Sequence, residues 1–237
     1  METAFQYLRY DVRITWREPS TRIFLFMPLV FFSLLQWAVP ALLAAYPVVQ
    51  PWGPLLLDGI VFQGGLMFGF VTGFLLLDEK DLDLVTVYRV APMRFGRLLL
   101  LKMAFPFLAT WLYAAASLAM NPILRLGGLE LVVGSFHFAL ITPVGALIVA
   151  ALGKNKVEGL AWFKFVDVLL IAPFLGFFLP GGWGELFWLF PTHGAFDGLL
   201  AASQGEASRF WVDQVVGIGY LCGMLWFSGW VFRRRVG

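Results

Sequence analysis

The sequence is poor in charged residues and in the side chains that build most catalytic sites. Only 14% of its 237 residues are charged, whereas about 25% is usual for a soluble domain. It has one cysteine, Cys222, and two histidines, which excludes an internal disulfide and a zinc site of the cysteine–histidine type. Hydrophobic residues make up 60% of the chain. So few charges cannot cover a water-facing surface, and the composition therefore indicates an integral membrane protein.

Motifs for nucleotide binding and hydrolysis are missing from the sequence. It contains no Gly-x-x-x-x-Gly-Lys-Ser/Thr phosphate loop, no His-Glu-x-x-His and no Gly-x-Ser-x-Gly. Acidic residues cluster at positions 78–83, but they lack the glycine and the further ligands of a calcium loop. We therefore expect no catalysis, no cofactor, no metal site and no nucleic-acid partner for this chain.

Six continuously apolar runs are each close to the roughly 20 residues that a helix needs to cross a bilayer. They lack the alternation of apolar and polar residues that membrane β-strands show. We therefore predict an all-α integral membrane protein with one transmembrane domain over residues 1–237. The predicted spans are 23–45, 57–77, 98–120, 130–152, 160–179 and 211–232.

The basic residues predict the orientation of these spans. All but Arg125 and Arg209 of the 17 basic residues fall before span one, between spans two and three, around the start of span five, or after span six. Basic loops face the cytoplasm, and six spans place both termini on the same side. We predict a multi-pass protein of the cytoplasmic (inner) membrane with both termini cytoplasmic.

The amino-terminal segment has an amphipathic pattern. Phe5, Leu8 and Val12 share one helical face, and arginines recur every four residues on another. This pattern is typical of a helix that lies in the headgroup layer. An ordinary basic flank that sets the topology explains the same residues.

A second amphipathic segment follows span two. Four acids and a lysine at 78–83 precede an apolar stripe formed by Leu84, Val85 and Tyr88, and Pro92 ends the pattern. This predicts a short cytoplasmic helix parallel to the membrane, which either docks into a groove of a partner or only caps the bundle.

This segment resembles the signature of ABC-2 type transporter permeases. The triplet Glu79-Lys80-Asp81 corresponds to its acidic–basic–acidic start, Arg89-Val90-Ala91-Pro92 to its Arg-Val-Ser-Pro-like end, and Lys102 to its downstream lysine. Asp83 stands where the family usually has glycine, and Ala91 where serine is common.

Two further patterns extend the resemblance over nearly the whole chain. Residues 155–159 read Asn-Lys-Val-Glu-Gly, as in the family, and Phe190-Pro191-Thr192 is similar to a weaker third pattern. The resemblance is closest to small drug-export permeases, sometimes described as fluoroquinolone exporters.

The resemblance implies an exporter that is driven by a partner. Two permease copies, expected to form a homodimer, would be served by two ATP-binding cassette ATPase subunits that hold the ATP and Mg. The helix after span two would then be a coupling helix. The residues expected to couple to the ATPase are Glu79, Lys80, Asp81, Leu84, Val85, Tyr88, Arg89 and Pro92.

Within the spans, aromatic and amide side chains predict a cavity for an amphipathic or hydrophobic substrate. Its expected lining is Phe32, Gln36, Gln63, Phe70 and Phe174. Gly65, Gly69 and Gly73 leave one face of span two bare, for packing within the bundle or for contact with a second copy. Gly219 and Gly223 are spaced in the same way in span six.

The few ionisable residues at depth are functional candidates by default. Lys164 and Asp167 are predicted to pair, Asp58 to lie near water at the external end of span two, and His137 to be a hydrogen-bonded core histidine. The external segment 185–203 is predicted to be re-entrant or to lie at the interface.

Two other functions remain open on this reading. One is a secondary transporter or channel that works alone, although no internal repeat is visible and few protonatable groups lie at depth. The other is a membrane assembly protein that transports nothing.

Overall fold

A computed structural model describes residues 19–82, 95–179 and 181–236, together with Arg13 and Trp16. Most of the predicted amino-terminal helix lies outside these ranges. So do five of the predicted coupling residues, namely Leu84, Val85, Tyr88, Arg89 and Pro92.

The described residues form helices joined by short connections, and no strand occurs among them. In chain order the elements are α1 Pro19–Ser33, a π-helical turn Leu34–Ala38, α2 Val39–Ala45, a 3-10 helix Pro47–Trp52, α3 Gly53–Asp81, α4 Phe95–Met120, α5 Gly128–Leu152, α6 Lys156–Ile171, α7 Pro173–Gly176, a 3-10 helix Gly181–Leu189, α8 His193–Ser203 and α9 Ala207–Val236.

Six helical segments within the described residues are long and apolar enough to cross a membrane. They are Thr21–Ala45, Pro47–Asp81, Gly96–Met120, Gly128–Leu152, Lys156–Gly176 and Ala207–Arg234. Each predicted span falls on one of these segments, with the fifth span overrunning its end. The prediction of an all-α protein with six membrane-spanning helices is therefore confirmed, and the chain is a multi-pass membrane protein.

Helices α3 and α5 form the centre of the bundle. Helix α5 packs against α3, α4, α6 and α9, and α3 also packs against α1 and α4. The peripheral helices expose large apolar side chains, such as Leu29 on α1, Val168 on α6 and Trp226 on α9. These outward apolar faces suit lipid as a solvent, because a helix in a bilayer need not hide its apolar side chains.

The two ends of the bundle differ in charge. Helices α3, α5 and α9 finish at one end, where α4 and α6 begin. We term this the basic end, because Lys80, Lys102, Lys156 and Arg233 lie there. The other is termed the opposite end, and the sequence predicts that it is external.

The fifth span is interrupted before it reaches the opposite end. Helix α6 stops at Ile171, and Pro173 begins the four-residue α7, because proline has no N–H to continue the hydrogen-bond ladder. The following residues turn back, and α8 packs against α9 and α3. Most of α8, from His193 to Leu199, is buried. Of the predicted segment 185–203, α8 therefore re-enters the bundle, whereas several side chains before it are exposed, namely Glu185, Leu186, Trp188 and Leu189.

Small residues allow α8 to approach α9 closely. A β-carbon on Gly194 would lie 2.4 Å from the backbone oxygen of Asp213, and one on Gly198 would lie 2.3 Å from Nε2 of Gln214. A β-carbon on Gly217 would lie 2.3 Å from Cε1 of His137. Glycine at these positions brings polar side chains of α5, α8 and α9 together at the opposite end.

Candidate functional site

The acidic–basic–acidic triplet ends α3 and anchors it to the start of α4. The Nζ of Lys102 donates a hydrogen bond to Oε1 of Glu79, and the two side chains form an ion pair. Their exposed fractions are only 7% and 9%. A buried ion pair requires close partners because desolvation of each charge is costly. The pair therefore fixes α3 to α4 across the 83–94 segment.

The neighbours of Glu79 anchor the same helix end to the turn between α5 and α6. Lys80 donates from Nζ to the backbone oxygen of Gly153 at 2.9 Å. Asp78 forms an ion pair with Lys156 at 2.9 Å. Three consecutive residues of α3 thus contact α6, α4 and the turn between α5 and α6.

The sequence Asn-Lys-Val-Glu-Gly at 155–159 stabilises the turn between α5 and α6 and the start of α6. Asn155 caps α6, since its Oδ1 accepts from the N–H of Glu158 at 2.9 Å. The Oε2 of Glu158 in turn accepts from the N–H of Lys154 at 3.2 Å. A β-carbon on Gly159 would lie 2.2 Å from Cδ1 of Leu77, so glycine lets α6 lie directly on α3.

The third pattern, Phe190-Pro191-Thr192, secures the break in the fifth span. The hydroxyl of Thr192 is buried and donates to the backbone oxygen of Leu170 at 2.5 Å. Carbonyls near a helix C-terminus need partners from outside the helix. Thr192 supplies one for the end of α6 and so holds the start of α8 in place.

Together these contacts form one network at the basic end, which we term the signature network. It consists of Asp78, Glu79, Lys80, Lys102, Gly153 and Lys156. Residues 83–94 lie outside the described ranges and join the end of α3 to the start of α4 in the sequence, so the network holds both helices that flank them. The third residue of the triplet, Asp81, is exposed at the end of α3.

The structure distributes the predicted cavity residues over different environments. Phe70 is buried, with ring centroids 4.1 Å from Phe24 and 4.4 Å from Phe163. Phe174 lies at the opposite end, with its ring centroid 6.2 Å from that of Phe196. Phe70 and Phe174 therefore pack against different aromatic neighbours, and their place in a common lining stays a prediction.

The amides of this set have contrasting partners. The Nε2 of Gln63 donates to Oδ1 of Asp167 at 3.1 Å. The Nε2 of Gln36, in the π-helical turn, is buried and has no hydrogen-bond partner among the described residues. Phe32, one turn earlier, is partly buried.

Two expectations for the ionisable residues are wrong. Asp167 bonds to Gln63 on α3, and the described residues contain no ion pair between it and Lys164, which is exposed. Asp58 is fully buried instead of lying near water, because α8 folds back over this part of α3. Both side chains face into the bundle where the sequence alone suggested local or solvent contacts.

A second group of polar residues lies at the opposite end, and the sequence analysis, which named Asp58 and His137 singly, did not predict that its members meet. Asp58 and Asp213 are both fully buried, and neither carboxylate oxygen of Asp58 has a hydrogen-bond partner within the described ranges. Nδ1 of His137 lies 2.8 Å from Oε1 of Gln214, and Nε2 of Gln214 donates to the backbone oxygen of Gly194 at 3.5 Å. His137 is thus a buried, hydrogen-bonded histidine, as predicted, but its Nε2 has no partner among these residues.

Arg209 closes this group toward the surface. Its Nε and Nη2 donate to Asp197 at 3.0 and 2.6 Å, and its Nη1 donates to Glu206 at 3.1 Å. Asp197 is buried, whereas 44% of the arginine side chain is exposed. Asp197 also interacts electrostatically with Asp58. We term Asp58, His137, Asp197, Arg209, Asp213 and Gln214 the opposite-end cluster.

The comparison with known proteins assigns the chain to a family. A family model described as fluoroquinolones export permease protein Rv2686c-like matches residues 11–228. The chain belongs to this Rv2686c-like family. Two relatives from Mycobacterium tuberculosis, fluoroquinolones export permease protein MT2760 (strain CDC 1551 / Oshkosh) and Rv2686c (strain ATCC 25618 / H37Rv), are each 26% identical to it. Each alignment covers 95% of this chain and 91% of the relative.

In this Rv2686c-like permease, the bare glycine face of α3 lies against helices of the same chain. The backbone oxygen of Gly65 accepts from the hydroxyls of Thr110 at 3.4 Å and Thr142 at 3.2 Å. A β-carbon on Gly69 would lie 2.8 Å from the backbone oxygen of Thr142. Gly73 similarly faces Ala146. These contacts join the central helices of the bundle.

The glycines of the last span of this Rv2686c-like permease behave differently. A β-carbon on Gly219 or Gly223 would meet no atom within 4 Å. The interpretation that they pack α9 within the bundle is therefore wrong, and the close contacts of α9 are made by Gly217 instead.

Proposed function

We propose that this chain is the membrane subunit of an exporter driven by a separate ATP-binding cassette ATPase. The signature network is the observation that carries the proposal. This network contains the buried ion pair Glu79–Lys102. Glu79 precedes the segment 83–94, which is expected to contact the ATPase, and Lys102 follows it. Membership in a family described as export permeases supports transport out of the cell.

The proposed mechanism is alternating access between two copies of the chain. Two ATPase subunits, which hold ATP and Mg, dock on the segment that contains Leu84, Val85 and Tyr88. Their closure displaces this segment, and the signature network passes the displacement to α3, α4, α5 and α6. In this arrangement the basic end and both termini are cytoplasmic, in the cytoplasmic membrane, as the basic residues predict.

The proposed substrate is amphipathic or hydrophobic. Aromatic residues form 17% of the chain, and the charged side chains at depth are few. The names of both relatives state that they export fluoroquinolones, so a fluoroquinolone is the first compound to test. Phe32, Gln36, Gln63, Phe70 and Phe174 stay candidates for contact along its path.

The test is uptake of a fluorescent fluoroquinolone into inside-out membrane vesicles that contain this chain and its candidate ATPase. ATP is expected to drive accumulation, vanadate to stop it, and a protonophore to leave it intact. Accumulation that needs no ATP contradicts the proposal. Vesicles without this chain provide the background.

Matched substitutions in the 83–94 segment test the coupling step. Tyr88→Asp places a charge on the predicted apolar stripe and is expected to abolish ATP-driven uptake. Thr86→Asp places the same charge on the opposite face of the predicted helix and is expected to leave uptake near that of the wild type. Equal activity of both variants would remove the docking role of the stripe.

One observation favours a second candidate, a secondary transporter that works alone. Asp58 is a buried carboxyl group without a hydrogen-bond partner among the described residues, and such groups at membrane depth are typical of proton-driven transporters. The same vesicles decide between the candidates. Uptake that follows an imposed pH gradient and collapses with a protonophore, with no requirement for ATP, supports the secondary transporter.

A further inference from the structure

A pocket of about 240 Å³ opens at the opposite end, separate from the predicted substrate path. It lies between α7, the 3-10 helix Gly181–Leu189, α8 and the start of α9. Its wall combines aromatic and charged side chains: Phe177, Glu185, Trp188, His193, Asp197 and Arg209. None of the five predicted cavity residues lines it.

Three rings form an aromatic wall around this pocket. The ring of His193 is nearly parallel to that of Phe177, with centroids 6.3 Å apart and planes 9° apart. The centroid of Trp188 lies 4.9 Å from that of His193. Aromatic faces carry negative electrostatic potential and attract cations, most strongly when the ring is tryptophan.

Negatively charged side chains outnumber positively charged ones in and beside the pocket. The guanidinium of Arg209 is engaged by the carboxylates of Asp197 and Glu206. Glu185 is exposed and has no ion-pair or hydrogen-bond partner within the described chain. Its carboxylate is therefore available to a cation from outside.

His193 adds a polar group that its surroundings do not satisfy. The residue is 93% buried, and its Nδ1 has no hydrogen-bond partner among the described residues. Burial lowers the pKa of His193, and Arg209 acts in the same direction against the opposing effect of Asp197. The imidazole is therefore neutral near pH 7 and adds no positive charge that would repel a cation.

We propose that this pocket binds an organic cation, a protonated or quaternary ammonium group on a small apolar body. The ammonium lies against Trp188 and near Glu185, and the apolar body fills the space beside Phe177. The aromatic wall and the free carboxylate together favour this class over anions and neutral molecules. A role as the release-side site for substrate rests on the proposed function, whereas the binding itself does not.

The test measures binding of radiolabelled benzyltrimethylammonium to the purified chain in phosphatidylglycerol nanodiscs, whose lipid has no ammonium group to compete, by equilibrium dialysis with empty nanodiscs as the background. Saturable binding is expected, with competition by unlabelled cation and none by phenylacetate or benzyl alcohol. Glu185→Gln and Trp188→Leu are each expected to weaken binding by about fivefold or more.

Glu130→Gln is the matched control, because it removes one external acid that does not line the pocket. Glutamine can still accept from the N–H of Gly127, which Glu130 contacts at 2.8 Å. This variant is expected to bind within about twofold of the wild type, a difference of less than about 0.5 kcal/mol.

Three results overturn the proposal: no saturable binding, equal competition by phenylacetate, or wild-type affinity in Glu185→Gln. Since Glu185 is exposed, this variant keeps the test decisive even if Trp188→Leu fails to fold. The dialysis contains no ATP and no ATPase. Binding in nanodiscs without ATP-driven uptake in vesicles therefore refutes only the proposed function, and the reverse result refutes only the cation site.

Discussion

Replacing Lys102 by methionine is expected to destabilise the basic end of the bundle strongly. The change keeps a long unbranched side chain between α3 and α4 but removes the ammonium that Glu79 contacts. Removing one partner of a buried ion pair typically costs about 3–5 kcal/mol, because the remaining charge keeps its desolvation penalty. With exposed fractions of 7% and 9%, this pair falls in that class.

A neighbouring pair provides the control for this magnitude. Lys156 and Asp78 have exposed side-chain fractions of 33% and 24%, so water screens their attraction. For such a pair the expected cost of Lys156→Met is about 1 kcal/mol or less. The double variant Glu79→Gln/Lys102→Met removes both charges and is expected to recover about 2 kcal/mol or more relative to Lys102→Met alone.

The assay is reversible unfolding by sodium dodecyl sulfate in mixed micelles, followed by circular dichroism. Vesicle uptake by the double variant then separates folding from coupling, since a folded but inactive protein assigns the pair to transmission. The reasoning is refuted if Lys102→Met and Lys156→Met lose the same stability, or if the two changes at 79 and 102 are additive.

Three further predictions concern the opposite end. Gly194→Ala is expected to lower the free energy of unfolding by about 1–3 kcal/mol, since its β-carbon would lie 2.4 Å from the backbone oxygen of Asp213. Gly219→Ala, whose β-carbon would meet no atom within 4 Å, should change the free energy of unfolding by less than about 0.5 kcal/mol. Equal effects of the two substitutions would contradict the packing argument. Thermal stability is expected to fall as the pH drops below 6.5, the ordinary pKa of histidine. The pKa of His193 is lowered in the folded protein, so the unfolded chain binds more protons at such pH values. His193→Phe should make stability depend less on pH in this range, and an unchanged dependence would exclude His193 as its origin. Asp58→Val is expected to raise the free energy of unfolding by about 1 kcal/mol, because it removes a buried carboxyl group that has no hydrogen-bond partner among the described residues. A loss of stability would mean that this carboxyl group has a partner.

The spans were predictable because a bilayer imposes a simple requirement on the sequence. Each spanning helix must be apolar for about 20 residues, and runs such as 23–45 and 130–152 meet it without ambiguity. The signature residues Glu79 and Lys102 were identified by resemblance. Their pairing was not, since spacing along a helix says nothing about contacts between residues on either side of a loop.

The opposite end was predicted less well because its structure depends on a fold-back. The position of Asp58 near the end of a span suggested contact with water, but α8 covers it. That covering depends on Pro173, which breaks the fifth span, and on Gly194, which lets α8 approach α9. Each glycine or proline is readable in the sequence, whereas the segment that it brings into contact is not.

Helix α3 has a geometric consequence for any movement of the bundle. Beyond its first turn it runs without proline from Leu55 to Asp81, and Asp58 and Glu79 are about 32 Å apart along its axis. Gly69, where α3 touches the backbone of α5, is almost halfway between them. If α3 tilts as a rigid rod about its close contacts at Gly65, Gly69 and Gly73, its two ends move in opposite directions, and a displacement of Glu79 is then accompanied by an opposite displacement of Asp58.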